Sequence, residues 1–130
     1  MNYHVADFAL RIKNAYMARR KTVVMPYSNI NTAIAKVLVK EGYLADSKVE
    51  EVEGLKVIHV SLRYQDLRAV VHNVEIISKP SLRVYVDAKH IGRNMARANI
   101  ISVISTNQGI MTGKDAKQKG VGGELLFTMW

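Results

Sequence analysis

Cysteine is absent from the chain. That removes disulfides, thiolate metal sites and cysteine nucleophiles, and it fits a reducing compartment. Proline occurs twice, as Pro26 and Pro80, and each stands where an apolar run stops. No apolar run approaches the ~20 residues that a membrane-spanning helix needs. The opening Met1-Asn2-Tyr3-His4 lacks the basic-then-apolar layout of a secretory signal. A soluble, cytoplasmic protein is the expectation. Acidic charge is also scarce: 11 Asp and Glu stand against 19 Lys and Arg, a net charge of +8. A chain this basic suits a polyanionic partner, either nucleic acid or an anionic membrane surface.

The charge is segregated. Residues 1–40 carry seven basic and one acidic side chains, residues 41–78 four and seven, and residues 79–130 eight and three. An acidic middle between two basic ends predicts one surface turned toward phosphate and another turned away. Hydrophobic residues make up 48% of the 130, enough for a core and too many for a disordered chain.

Periodicity organises the rest. Val5, Phe8, Ala9, Ile12 and Tyr16 recur at helical spacing, followed by the basic Arg19-Arg20-Lys21. Residues 21–25 read as a short strand. Ser28 or Asn29 can cap a second helix whose buried stripe is Ile30, Ala33, Ile34, Val37 and Leu38, closed at Gly42. Residues 43–52 and the stretch holding Ile58, Val60 and Leu62 read as two strands joined at Glu53-Gly54. An apolar run from Ala69 to Ile77 ends at Ser78-Lys79-Pro80-Ser81, the expected boundary between two subdomains, 1–76 and 77–130. Beyond it, residues 82–86 read as a strand. Residues 87–97 read as a short helix with Lys89, Arg93 and Arg97 along one face. Residues 100–104 form a buried strand, Thr112 with Asp115 resembles a capping box, and residues 125–130 form a terminal strand. The fold class is α+β: an N-terminal αβαββ-like subdomain and a C-terminal, mostly antiparallel β subdomain with short helices.

Enzymatic motifs are weak. His4, His59, His72 and His90 share no metal-ligand spacing. Gly113-Lys114-Asp115 lacks the hydroxyl residue and the earlier glycine of a P-loop. No helix pattern follows Gly120-Val121-Gly122-Gly123, so it is not a dinucleotide fingerprint. The expectation is a non-enzyme with no cofactor and no metal.

Ser105-Thr106-Asn107-Gln108 is the stretch that suits recognition. Such residues often bond only their own turn. They can also bond base edges and ribose 2′-hydroxyls, while nearby cations hold phosphates. Gly122-Gly123-Glu124 has two readings as well: a turn into the last strand, or a close-approach point for RNA, with Glu124 accepting from a base amino group or holding the Ser105 loop.

These residues carry a resemblance. Arg11-Ile12-Lys13-Asn14-Ala15, Ala33-Ile34-Ala35-Lys36-Val37-Leu38, Glu41-Gly42-Tyr43, Ile77-Ser78-Lys79-Pro80, Leu82-Arg83-Val84-Tyr85, Gly109-Ile110-Met111-Thr112 and Gly120-Val121-Gly122-Gly123-Glu124 follow one another as in ribosomal small-subunit protein eight, the S-eight family, of bacterial type. The chain resembles that family over nearly its whole length. The resemblance implies a structural constituent of the small ribosomal subunit that binds the central domain of small-subunit rRNA directly and helps its assembly. It implies neighbouring small-subunit proteins, five and twelve, as partners. It assigns RNA contact to Ser105, Thr106, Gly122, Gly123, Glu124, Tyr85, Arg11 and Asn14. Asn107, Gln108, Lys79, Arg83 and Lys114 join them as neighbouring readers or phosphate grips. Two departures stand out: Asn107-Gln108 replaces the family's usual Ser-Lys, and Ala98-Asn99-Ile100 replaces Gly-Leu-Gly. The alternative is a basic RNA-binding regulator acting off the ribosome on messenger RNA. A small hydrolase or nuclease is disfavoured by the missing acid/base cluster.

Overall fold

A computed structural model describes residues 3–91 and 100–130 of the chain. Helix α1 (Tyr3–Met17) puts Val5, Phe8, Ala9, Ile12 and Tyr16 into the core, as its spacing predicts. Strand β1 (Thr22–Pro26) leads to helix α2 (Asn29–Lys40), whose N-cap is Ser28, its side chain accepting from the Asn31 amide at 3.1 Å. The buried stripe of α2 is turned slightly from the expected one. Asn31, Ile34, Ala35 and Leu38 are buried, while Ile30, Ala33 and Val37 are half-buried. The helix ends where the amides of Gly42 and Tyr43 turn back onto Val39 O and Leu38 O, at 3.1 and 2.9 Å.

Strands β2 (Leu44–Val52) and β3 (Leu55–Leu62) form the expected hairpin across Glu53-Gly54 and, with β1, a three-stranded antiparallel sheet in the order β1-β3-β2. This N-terminal part runs αβαββ. A small hairpin, β4 (Tyr64–Gln65) and β5 (Arg68–Ala69), follows. Its turn holds Asp66 and Leu67 at φ 52° and 65°, and the Arg19 guanidinium donates to Leu67 O at 2.6 and 3.2 Å. The apolar run 69–77 is not one strand: after β5 only β6 (Val74–Ile76) is extended in a sheet.

The second sheet is antiparallel. Its strands are β6, β7 (Tyr85–Val86), β8 (Ile101–Thr106), β9 (Gly109–Thr112) and β10 (Gly123–Met129). The order is β6-β10-β8-β9, with β7 on the same edge of β10 as β6. The strand expected over 82–86 shrinks to two residues. Buried Ser78 explains this: its hydroxyl accepts from the Val84 amide at 2.9 Å and donates to Val84 O at 3.3 Å, closing residues 78–84 into a loop. The helix expected over 87–97 begins as a 3₁₀ turn, Ala88–His90, capped by Asp87; Ile91, at ψ 88°, leaves the helical region. Arg93 and Arg97 lie outside the described residues. Helix α3 (Gly113–Lys119) is capped by Thr112, whose hydroxyl accepts from the Asp115 amide at 3.1 Å.

Strand β10 serves two cores. A bulge at Leu126 shifts its register against β8 between Leu125 and Phe127. Leu125 therefore packs with Ile91, Ile104, Met111 and Ala116 in a smaller core, and Phe127 and Met129 enter the larger one. That larger core also takes Phe8, Ile12, Ile34 and Leu38 from the two helices and Ile58 and Val60 from β3. Both parts of the chain thus share one core.

Inside that shared core, the Tyr16 hydroxyl donates to Tyr43 O at 2.5 Å and accepts from the Arg63 amide at 3.0 Å. Burial pushes its phenol from the ordinary 10.0 up to about 12. The folded chain keeps this proton where the unfolded chain releases it. Stability is therefore fully present below pH 10.0 and falls as pH rises toward about 12. Tyr16→Phe should cost about 1–3 kcal/mol at neutral pH, by stranding two backbone groups. The wild-type advantage over this variant should shrink across that alkaline window in urea titrations. Gly123→Ala is expected to be severe for another reason. An added Cβ would lie 2.0 Å from Ser105 O, and this contact is backbone, which cannot swing aside. A loss of about 3 kcal/mol, the upper end of ordinary overpacking, is the expected result in the same titration.

Candidate nucleic-acid interface

The β8–β9 hairpin carries the Ser105–Gln108 stretch. Thr106 pairs with Gly109 across its end, and Asn107 and Gln108 form the turn. The Thr106 hydroxyl donates to Gly109 O at 2.8 Å and accepts from the Gln108 amide at 3.0 Å. It is committed to the turn before any ligand arrives. The positive φ that the reversal requires falls on Gly109, at 109°, so Asn107 and Gln108 keep ordinary backbone. Both turn side chains are exposed.

Beside the hairpin, three strands align a row. Tyr85 of β7 lies opposite Glu124 of β10, which lies opposite Ser105 of β8. Directly opposed residues project from the same face of an antiparallel sheet. The row therefore joins an aromatic ring that is 70% exposed, a carboxylate and a hydroxyl. Arg83 donates to the Glu124 carboxylate at 3.3 Å, orienting it and offsetting its charge. Gly122 and Gly123 lie under this row. They are not the turn that their sequence suggests: Gly123 begins β10, and neither has a positive φ. The close approach they permit is between strands. A Cβ at Gly122 would meet Val86 O at 2.4 Å, and one at Gly123 would meet Ser105 O.

Cations stand on the elements around the row. Lys79 is exposed in the turn that its backbone closes with Leu82. Lys114 is exposed on α3, and so are Lys117 and Lys119, which the sequence reading passed over. Their shared presence in one short helix was the available signal. Asp87 caps the 3₁₀ turn, and its bond to the His90 ring holds its carboxyl below the ordinary range.

Arg11 and Asn14 belong to a different part of the surface. They line a shallow cleft of about 260 Å³ with Ala15, Ala18, Arg20 and Val23. Arg11 is tied to Asp7 at 2.8 Å, an exposed pair of small energetic value. Arg20 is the cation that sequence reasoning missed there; it joins the cleft because the chain reverses after α1. Among the described residues, no cluster of His, Asp and Glu could hold a metal ion. No described helix is long and apolar enough to cross a membrane.

The family described as Ribosomal protein S8 matches residues 4–130 of this sequence. The chain belongs to that family. Its relatives named small ribosomal subunit protein uS8 include one from Koribacter versatilis, 45% identical over 127 residues, which span 97% of this chain and 95% of the relative. Another, from Ruthia magnifica, is 38% identical over 130 residues, covering 100% of this chain and 98% of the relative. A third, from Dictyoglomus thermophilum, is 41% identical over 126 residues, covering 97% and 95%. These relatives are named as ribosomal proteins and not as enzymes.

Thr106→Ala removes both bonds that brace the hairpin end, a loss of about 1 kcal/mol. Amide exchange at Gln108 should accelerate in the free protein, and Thr106→Ser should restore it. Unchanged exchange in the alanine variant would show that the hydroxyl does not brace the turn.

Proposed function

We propose that this chain is a structural component of the small ribosomal subunit that binds the central domain of its rRNA directly, in the cytoplasm, and helps that domain assemble. The observation that carries the reading is the row Tyr85–Glu124–Ser105 beside the exposed Asn107-Gln108 tip. It offers a stacking surface, acceptors and donors with little net charge, set among exposed lysines. Uncharged groups of this kind distinguish unpaired bases, whereas cations bind any phosphate backbone. An irregular RNA helix with splayed bases suits the row better than a perfect duplex, whose base edges side chains reach poorly.

In this reading residues 77–130 supply the reading surface, with Ser105, Tyr85 and Glu124 at its centre and Asn107 and Gln108 at its tip. Thr106 acts by holding the tip, and Gly122 and Gly123 act by holding the strands together. Arg83 orients Glu124. Lys79 and Lys114 grip phosphates. Residues 1–76 add Arg11 and Asn14 as a second, weaker contact. Neighbouring small-subunit proteins, five and twelve, are the proposed protein partners.

The test compares affinity for a central-domain rRNA fragment and for a perfect duplex of equal length at physiological salt. Tighter binding to the fragment is expected, and equal affinity would refute specific reading. Tyr85→Ala should weaken fragment binding by about 1–3 kcal/mol, the worth of one stacked base, and leave duplex binding nearly unchanged. Lys114→Ala should weaken both alike and lower the salt dependence by about one phosphate's slope.

A further inference from the structure

The three-stranded sheet has a face that nothing above uses. Ile58, Val60 and Leu62 of β3 point into the core, so Leu55, Val57, His59 and Ser61 point away from it. Across the strands, Pro26 lies opposite Val57, Val24 opposite His59, and Val52 opposite Leu55. Val24, Pro26, Val57, Leu55 and Val52 therefore form one apolar strip on the outer face. Leu55 is 71% exposed, Val52 51% and Val24 47%. The wet face of such a sheet normally alternates to polar side chains, and a contiguous exposed apolar strip marks a site of association.

The strip is bordered by acid. Glu50 lies opposite Val57 on the same face and Glu53 is in the turn beside Val52, whereas Glu51, opposite Lys56, belongs to the other face. These belong to the segment 41–78, which carries seven acidic and four basic residues in a chain of net +8. Glu50 already meets Lys48 at 3.1 Å, but the pair is exposed and a partner's cation can replace it at little cost. Among the described residues, strand β2 pairs with β3 alone, which leaves its outer edge open to backbone hydrogen bonds.

We propose that this apolar face and the β2 edge dock a basic, extended segment of a neighbouring protein in the small subunit, its apolar side chains on Leu55, Val57 and Val52 and its cations on Glu50 and Glu53. The proposal rests on the reading of the chain as a subunit component. The charge selects the class of partner: a carboxylate rim repels phosphate, so the occupant is protein and not RNA.

The test places a photoreactive benzoyl-phenylalanine at Leu55, and separately at Val52, in chain incorporated into small subunits. Both positions are exposed, so folding is preserved. The expected result is a crosslink to a basic protein, cut about threefold or more by Glu50→Gln with Glu53→Gln. A crosslink to rRNA, a crosslink to a second copy of this chain, or no crosslink in subunits that contain the chain overturns the docking proposal alone. Failure of the unmodified chain to enter subunits overturns the functional reading, and this proposal with it.

Discussion

At Gly122 and Gly123 three strands approach more closely than any side chain allows. A Cβ at Gly123 would sit 2.0 Å from Ser105 O, and one at Gly122 would sit 2.4 Å from Val86 O. This approach lets the start of β10 pair with β7 on one side and β8 on the other, which sets Tyr85, Glu124 and Ser105 in a single row. Two residues later the bulge at Leu126 changes which way the strand faces. Its carbonyl accepts from the amides of Ile77 and Ser78, at 3.0 and 3.2 Å, so the bulge also anchors the loop that leads to Arg83 and Tyr85. Placement of the row and the joining of the two cores therefore depend on one strand.

The distribution of charge follows a division of labour. Phosphate contacts are strong and carry no sequence information, so cations at the centre of a reading surface would bind any RNA. Here the central charges, Arg83 and Glu124, offset each other, while Lys79 and the lysines of α3 stand on surrounding elements. The acidic excess is kept to the middle of the chain, where β2 and β3 form a separate sheet. On the proposed reading, placing carboxylates there keeps them off the RNA-reading surface; the exposed Glu50–Lys48 pair already engages one of them.

Legibility tracked the range of the interactions involved. Both long helices and the β2–β3 hairpin were readable because amphipathic period, the Ser28 cap and the Glu53-Gly54 turn are local. The Thr112 cap was readable for the same reason. The two-residue strands β4 and β5 were not, since pairing so short leaves no period; β7 was read as the end of a longer strand over 82–86, and only its last two residues pair, where β10 meets them. Gly122-Gly123 resembled a turn because paired glycines usually make one; that they flatten a strand against its neighbours is a tertiary fact. The residues of the row were individually nominated by family resemblance, but their adjacency is a matter of register between strands whose paired residues stand 19 and 39 positions apart. Arg20 escaped because its cleft is formed by a chain reversal and not by a helical face.

The hairpin tolerates change at Asn107 and Gln108, two positions where the resemblance expects this chain to differ from its family. The β8–β9 turn depends on Thr106, which supplies both bracing bonds, and on Gly109, which takes the positive φ. Asn107 and Gln108 contribute ordinary backbone and exposed side chains. A substitution at either position leaves the brace and the glycine in place, so it changes chemistry at the tip without reshaping the hairpin. On the proposed reading, Asn-Gln in place of the family's expected Ser-Lys exchanges a phosphate-seeking cation for amides able to bond base edges in pairs. On the same reading, the tip gains discrimination as it loses general attraction, and the lysines of the surrounding elements supply the latter.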